Sequence, residues 1–191
     1  MNESLLHPEF EISAELRELA AGIRLVLFDV DGVLTDGHLY FDDSGNEIKA
    51  FHSRDGLGIN LLQESGVEVG IITARKSNVV AHRAQDLKIR HLYQGAKDKY
   101  PAYEAMCKSL NLSPSQVAFV GDDVVDLPIM LDVGLAITVP DGHPLVKQRS
   151  HWTTLHAAGA GAARDVCELI MYSQDSYARM LEPFLTRRNS A

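Results

Sequence analysis

The chain has 191 residues, 46% of them apolar and 23% charged, and a formal net charge of −8. That length suits one α/β domain, expected over 1–191, with a full core, and is short for two. An acidic balance without a basic cluster argues against nucleic acid as the main partner, and no apolar run approaches the ~20 residues of a membrane-spanning helix.

Met1-Asn2-Glu3-Ser4 shows neither the basic nor the apolar region of a signal peptide, so a cytoplasmic location is expected. Ser13 caps a helix that stops at Gly22. Residues 23–30 follow, apolar on both faces as a buried parallel strand is. This strand ends in Asp29 and Asp31, with Gly32 permitting a sharp turn. Residues 38–52 read as a β-hairpin around Asp43-Ser44-Gly45-Asn46, projecting from the alternation of strand and helix. Regular alternation then resumes: helix 56–64, strand 67–72, helix 77–87, strand 91–93, helix 98–110, strand 117–120, helix 125–133 and strand 135–139. A terminal helix is expected from Gly161 to about Leu185, with a tail to 191. Cys107 and Cys167 lack metal-ligand spacing and read as free thiols. The pattern predicts a Rossmann-like, doubly wound parallel sheet with helices on both faces.

Parallel strands present their carboxyl ends together, and open α/β sheets bind ligands there. Four such ends carry polar residues: Asp29 and Asp31, then Thr73 and Arg75, then Lys97 and Lys99, then Asp122 and Asp123 after Gly121, with Asp126 three residues on. This set matches phosphoryl transfer through an aspartyl-phosphate. Asp29 suits the nucleophile, and Asp31 the acid that protonates the leaving alkoxide and later activates water. Asp29, Asp31 and Asp122, supported by Asp123, suit a Mg²⁺ ion, because a hard cation takes carboxylate oxygens. Thr73 and Lys99 supply a donor and a positive charge for the phosphoryl oxygens. Arg75 and Arg83 are further candidates to contact phosphate or substrate.

In this order the segments resemble the four motifs of the haloacid dehalogenase-like phosphatase superfamily. Within it, Asp29 to Gly37, Phe51-His52-Ser53-Arg54-Asp55-Gly56, His91 to Gly95 and Gly121-Asp122-Asp123 resemble the family of 3-deoxy-D-manno-octulosonate 8-phosphate phosphatases. The resemblance spans about residues 12–175. It implies Mg²⁺ dependence, an acidic sugar phosphate as substrate, a role in lipopolysaccharide precursor synthesis and a homotetramer. It also implies substrate contacts from Asp31, His52, Ser53, Arg54, Asp55, Gly56, Arg75, Arg83 and Lys99. Two positions depart from the family pattern, Asn60 and Ala160, where a basic group is common. Another ulosonic acid phosphate, such as a nonulosonate 9-phosphate, therefore remains an alternative substrate.

Motif spacing independently excludes a cap domain. The 42 positions from Asp31 to Thr73 hold the hairpin and one helix, and the 26 from Thr73 to Lys99 hold one helix and a short strand. Leu39, Tyr40, Phe41, Ile48 and Phe51 make the hairpin a candidate subunit interface that would cover such an open site. A non-enzymatic phospho-receiver domain groups similar residues, but it carries its acidic pair on the first strand and its acceptor later, the reverse of the order here.

Overall fold

The computed structural model describes residues 7–186; the N-terminal stretch 1–6 and the end of the tail at 187–191 lie outside the described residues. Helix α1 (Ala14–Ala21) starts where the Ser13 hydroxyl accepts the Leu16 amide at 3.1 Å. Strand β1 (Leu25–Phe28) follows and is buried throughout. Its side chains divide by the two-residue period of a strand. Val26 and Phe28 enter the core on one face of the sheet, and Leu25 and Leu27 the core on the other. Beyond Phe28 a tight turn over Val30–Leu34 passes through Gly32 at φ +88°.

The hairpin is short. Strands β2 (Tyr40–Phe41) and β3 (Glu47–Ile48) pair antiparallel, with Tyr40 opposite Ile48, and Asp42 closes the turn by accepting the amides of Ser44 and Asn46. After it come α2 (Ser53–Ser65), β4 (Glu68–Thr73), α3 (Asn78–Asp86), β5 (His91–Gln94), α4 (Tyr100–Leu110) and β6 (Val117–Val120). The chain finishes with α5 (Leu127–Met130), β7 (Leu135–Thr138), α6 (Pro144–Arg149), β8 (Trp152–Thr153), α7 (Ala162–Ser173) and α8 (Tyr177–Leu185). The main sheet has the order β5-β4-β1-β6-β7-β8, with every neighbouring pair parallel. Buried side chains of α1, α2, α3 and α7 fill one face, and those of α4, α5 and α6 the other. This is the doubly wound α/β fold that the alternation predicts.

The winding runs from β1 out to β4 and β5, then returns to β6 on the other side of β1. The strand order therefore reverses between β1 and β6, which puts a crevice beyond their carboxyl ends.

Several boundaries differ from the sequence expectations. Helix α2 begins at Ser53, ahead of Gly56, because the His52 ring accepts the Arg54 amide and caps it. The single terminal helix is two, broken at Asp175 with φ +55°. Its apolar periodicity reads through the break because Tyr177 of α8 returns to the same core as α7. The helix expected at 125–133 is a 3₁₀ turn, Val124–Asp126, followed by α5. Helix α6 and strand β8 were not expected; β8 has two residues, too few for a periodic signal.

Phe28 is fully buried and ends the central strand one residue before Asp29. Phe28→Ala should cost about 3–5 kcal/mol, as large-to-small core changes do. Urea denaturation checks this; a loss below about 1 kcal/mol would mean that β1 is not the packing centre of the sheet.

Candidate active site

The crevice between β1 and β6 gathers the polar strand ends. Asp29 directly follows β1 and is buried; its Oδ1 accepts the Val30 amide at 2.6 Å. Lys99 caps α4, and its buried Nζ lies 2.5 Å from Asp29 Oδ2 and donates to Asp126 Oδ1 at 2.6 Å. Asp126 is wholly buried, and its Oδ2 accepts the amides of Asp122 and Asp123 at 3.1 and 3.3 Å. Thr73 ends β4 and is buried. Asp29, Asp31, Thr73, Arg75, Lys99, Asp122 and Asp123 line one open cleft of about 280 Å³.

Two glycines make this approach possible. A Cβ on Gly32 would lie 2.1 Å from Asp122 Oδ2, and one on Gly121 would lie 2.6 Å from the Asp126 carboxylate. Side chains at either position would push the acidic groups apart.

Carboxylate oxygens of Asp29, Asp122 and Asp126 all lie within 4.8 Å of one another. Burial pushes the Asp29 carboxyl up to about 6, against the pull of Lys99. Burial, with the neighbouring Asp29 and Asp126 charges, pushes Asp122 up to about 7. Burial opposes the charge of Lys99, yet Asp29 and Asp126 hold its ammonium above the ordinary lysine value. When all are ionised, three carboxylates facing one ammonium leave a local excess of two negative charges. Asp122 Oδ1 is buried without a hydrogen-bond partner among the described residues. A hard divalent cation with oxygen ligands fits this donor set. Asp122, with its unpartnered Oδ1, is the carboxylate most open to such an ion, and Asp29 lies beside it in the same cluster.

The other expected residues fall in three places. Asp31 stands in the turn after β1, outside the three-carboxylate cluster; its Oδ1 is paired with the Lys49 ammonium and its Oδ2 lies 3.8 Å from Arg75 Nε. Asp123 is exposed and caps the next turn through the Val124 amide at 2.7 Å. His52, Asp55, Gly56 and Arg83 line a separate, largely apolar cavity with Phe51 and Ile59, and Arg83 stacks over Phe51 at 5.7 Å. Ser53 opens α2 beside them. Arg54 donates to the Ala160 carbonyl at 3.4 Å, and Asp55 accepts the Arg164 amide at 2.8 Å, so this segment fastens the tail. Asn60 faces a polar groove with Gln63, Lys88 and Arg90.

Reading for strand ends noted Asp126 without giving it a role, and passed over Lys49 and Glu47. The spacing Gly-Asp-Asp-x-x-Asp carries the first, because an acid four positions after Asp122 can accept that residue's own amide. Alternation carries the others: Glu47 and Lys49 flank Ile48, so both fall on the opposite side of the hairpin from its exposed side chain.

An aspartate at a strand end, an ammonium against it and a second acidic pair that can share a cation define a phosphoryl-transfer site. Comparison with known proteins agrees. The haloacid dehalogenase-like hydrolase family pattern matches residues 91–165. The 3-deoxy-D-manno-octulosonate 8-phosphate phosphatase of Yersinia pestis is 45% identical over 164 residues, covering 86% of this chain and 88% of that one. Its crystal structure superposes with a TM-score of 0.86, covering 87% of this chain and 90% of that one. The Moraxella catarrhalis phosphatase of the same name, solved with magnesium ion, phosphate ion and KDO, gives a TM-score of 0.88 at 38% identity, covering 91% and 99%. The chain belongs to the 3-deoxy-D-manno-octulosonate 8-phosphate phosphatase family of haloacid dehalogenase-like hydrolases.

The crowded carboxylates predict how the metal-free protein responds to pH. The folded value of Asp122, about 7, lies above the ordinary 3.8, so between these values the folded state binds the extra proton and stability falls as pH rises. With chelator present, the Tm of the wild type should drop between about pH 5 and 7.5, and Asp122→Asn should flatten that slope. Mg²⁺ at 100 times its Kd should restore about 2.7 kcal/mol to the wild type at neutral pH and far less to Asp122→Asn. Calorimetry checks both; an equal Mg²⁺ response in the two proteins would remove Asp122 from the ligand set.

Proposed function

We propose that this chain is a Mg²⁺-dependent phosphatase that hydrolyses 3-deoxy-D-manno-octulosonate 8-phosphate to the free sugar acid and phosphate. The observation that carries this reading is Asp29, ionised beside Lys99 at 2.5 Å, in a cleft shared with Thr73, Asp31 and Asp122. An Asp29 oxygen attacks phosphorus; the bond from phosphorus to the sugar oxygen breaks, and its electron pair stays on that oxygen. Asp31 gives that oxygen a proton, and the sugar acid leaves as an alcohol. Asp31 then takes a proton from water as the water oxygen attacks phosphorus. The Asp29–phosphorus bond breaks, its electron pair returns to the carboxylate, and phosphate is released. Lys99 and Thr73 stabilise the charge on the phosphoryl oxygens.

Asp29 and Asp122 would hold Mg²⁺ through their carboxylates. Asp31, in the turn after β1 and lining the same cleft, would complete the ligand set. The ion supplies positive charge that offsets the crowded acids and the phosphoryl oxygens. The roles of Asp126 and Asp123 are to position: one orients Lys99 and the Asp122 amide, the other caps the turn. Arg75, at the cleft edge with a half-exposed side chain, is the cation available to an acidic substrate.

Asp29→Asn should lower turnover by about 10³-fold or more with the fold intact, because an amide does not attack phosphorus. Residual activity within tenfold of wild type would remove the nucleophile assignment. Kinetics on purified octulosonate 8-phosphate and nonulosonate 9-phosphate decide the substrate. A kcat/KM at least about tenfold higher for the eight-carbon acid, near 1.4 kcal/mol of discrimination, is expected.

Assembly and place in the cell belong to the same reading: a homotetramer acting in the cytoplasm, in lipopolysaccharide precursor synthesis. No helix of the described residues is long and apolar enough to cross a membrane. On the hairpin and its flank, Leu39, Tyr40, Phe41 and Ile48 are all exposed. Covering such side chains is worth about 1.5–3 kcal/mol each, enough in sum to drive association. Replacing Phe41 and Ile48 together with aspartate should give smaller species in sedimentation and a raised KM. An unchanged size would place the interface on another surface.

A further inference from the structure

We propose that Lys49 is a positioning residue for the reaction: it fixes the Asp31 carboxylate with one oxygen held and the other free to carry the proton. This rests on the acid–base role of Asp31 in the proposed reaction.

Lys49 stands out first by burial. It follows β3 on a hairpin whose other side chains are largely solvated, yet only 1% of its side chain is exposed. A lysine is almost never buried unless paired. Its ammonium bonds Asp31 Oδ1 and lies 3.3 Å from Glu47 Oε1. Arg75 completes a ring: it donates to the same Glu47 oxygen at 3.0 Å, and its Nε is 3.8 Å from Asp31 Oδ2. Two carboxylates and two cations meet there, and their formal charges cancel. The hairpin therefore touches the cleft through a closed ionic ring, 18 positions along the chain from Asp31.

The two oxygens of Asp31 are not equivalent in this ring. Oδ1 is held by Lys49, whereas Oδ2 is buried and lacks a hydrogen-bond partner among the described residues. Arg75 stays beyond hydrogen-bond distance from it. The backbone of Asp31 is non-helical inside the turn, so no helical rotamer preference orients its side chain. An anchor on one oxygen supplies the missing constraint. A proton donor must lie within hydrogen-bond reach of the oxygen it protonates, and small misplacements are costly.

A purely structural lysine and a positioning lysine predict different substrate dependence. A sugar phosphate leaves as a basic alkoxide that needs the proton from Asp31; p-nitrophenyl phosphate leaves as a stable phenolate that does not. First-turnover rates with Mg²⁺ should separate the two in Lys49→Met. The rate with octulosonate 8-phosphate should fall about 10²-fold, and that with p-nitrophenyl phosphate less than about threefold. Lys49→Arg should recover the sugar phosphate rate to within about tenfold of wild type, since it restores the charged donor. If Lys49→Met does not fold, Glu47→Gln, which loosens the same ring, carries the test with the same selective loss of about tenfold. Equal losses on both substrates, or a loss below threefold on the sugar phosphate, would overturn the proposal. A wild-type enzyme without activity on the sugar phosphate would instead overturn the substrate assignment and leave Lys49 to be judged on other alkyl phosphates.

Discussion

The site hangs on one buried ammonium. Lys99 sits between Asp29 and Asp126, so it ties the end of β1 to the turn after β6 across the point where the strand order reverses. Burying a charge without partners costs several kcal/mol, and two carboxylates at hydrogen-bond distance offset that cost. The arrangement is directional. Asp126 commits one oxygen to Lys99 and the other to the amides of Asp122 and Asp123, which sets the backbone that presents Asp122. Lys99 occupies the N-cap position of α4, so the start of that helix fixes where its side chain departs. From a single ammonium the geometry passes to every acidic group that a cation would meet.

This arrangement carries a cost that the rest of the fold absorbs. Three acids within 4.8 Å repel one another, and burial keeps water from screening them. Around them the sheet is packed on both faces, with Phe28, Leu27, Ile71, Ile72 and Phe119 buried. Strain of this kind survives where the surrounding structure over-determines it. The glycines at 32 and 121 belong to the same solution, because they let backbone approach carboxylate where any side chain would collide.

How much of this could be read from the chain depended on whether a signal was local. β1 announces itself, since four successive apolar residues, 25–28, precede Asp29. Ser13 capping α1 also read correctly, because a cap is a matter of a few adjacent residues. Strand ends made Asp29, Thr73, Lys99 and Asp122 legible together. Asp55 was less legible, because its partner, the Arg164 amide, is 109 positions away. Lys49 was less legible for another reason: alternation sets it opposite the exposed Ile48, but nothing local says what it meets there. Only the fold shows that Asp31 waits on the inner side. The terminal helix was read as one piece since α7 and α8 share a core, and a single residue with positive φ leaves no trace in the periodicity.

The hairpin thus has two faces with different chemistry. Its cross-strand pair Tyr40 and Ile48 faces solvent in the single chain, whereas Glu47 and Lys49 turn to Asp31 and Arg75. Two strands of two residues each do not hold a shape in water by themselves. The ionic ring holds one side; an apolar contact on the other would remove the remaining freedom. With the hairpin as the proposed interface and Lys49 as the proposed anchor, association and acid positioning would act on the same short element. Covering the apolar face would restrict where Lys49 can sit, and with it which way the Asp31 carboxylate is turned. A chain with no room for a cap between its motifs would in this way obtain from its neighbours both a cover for the cleft and a firmer hold on its proton donor.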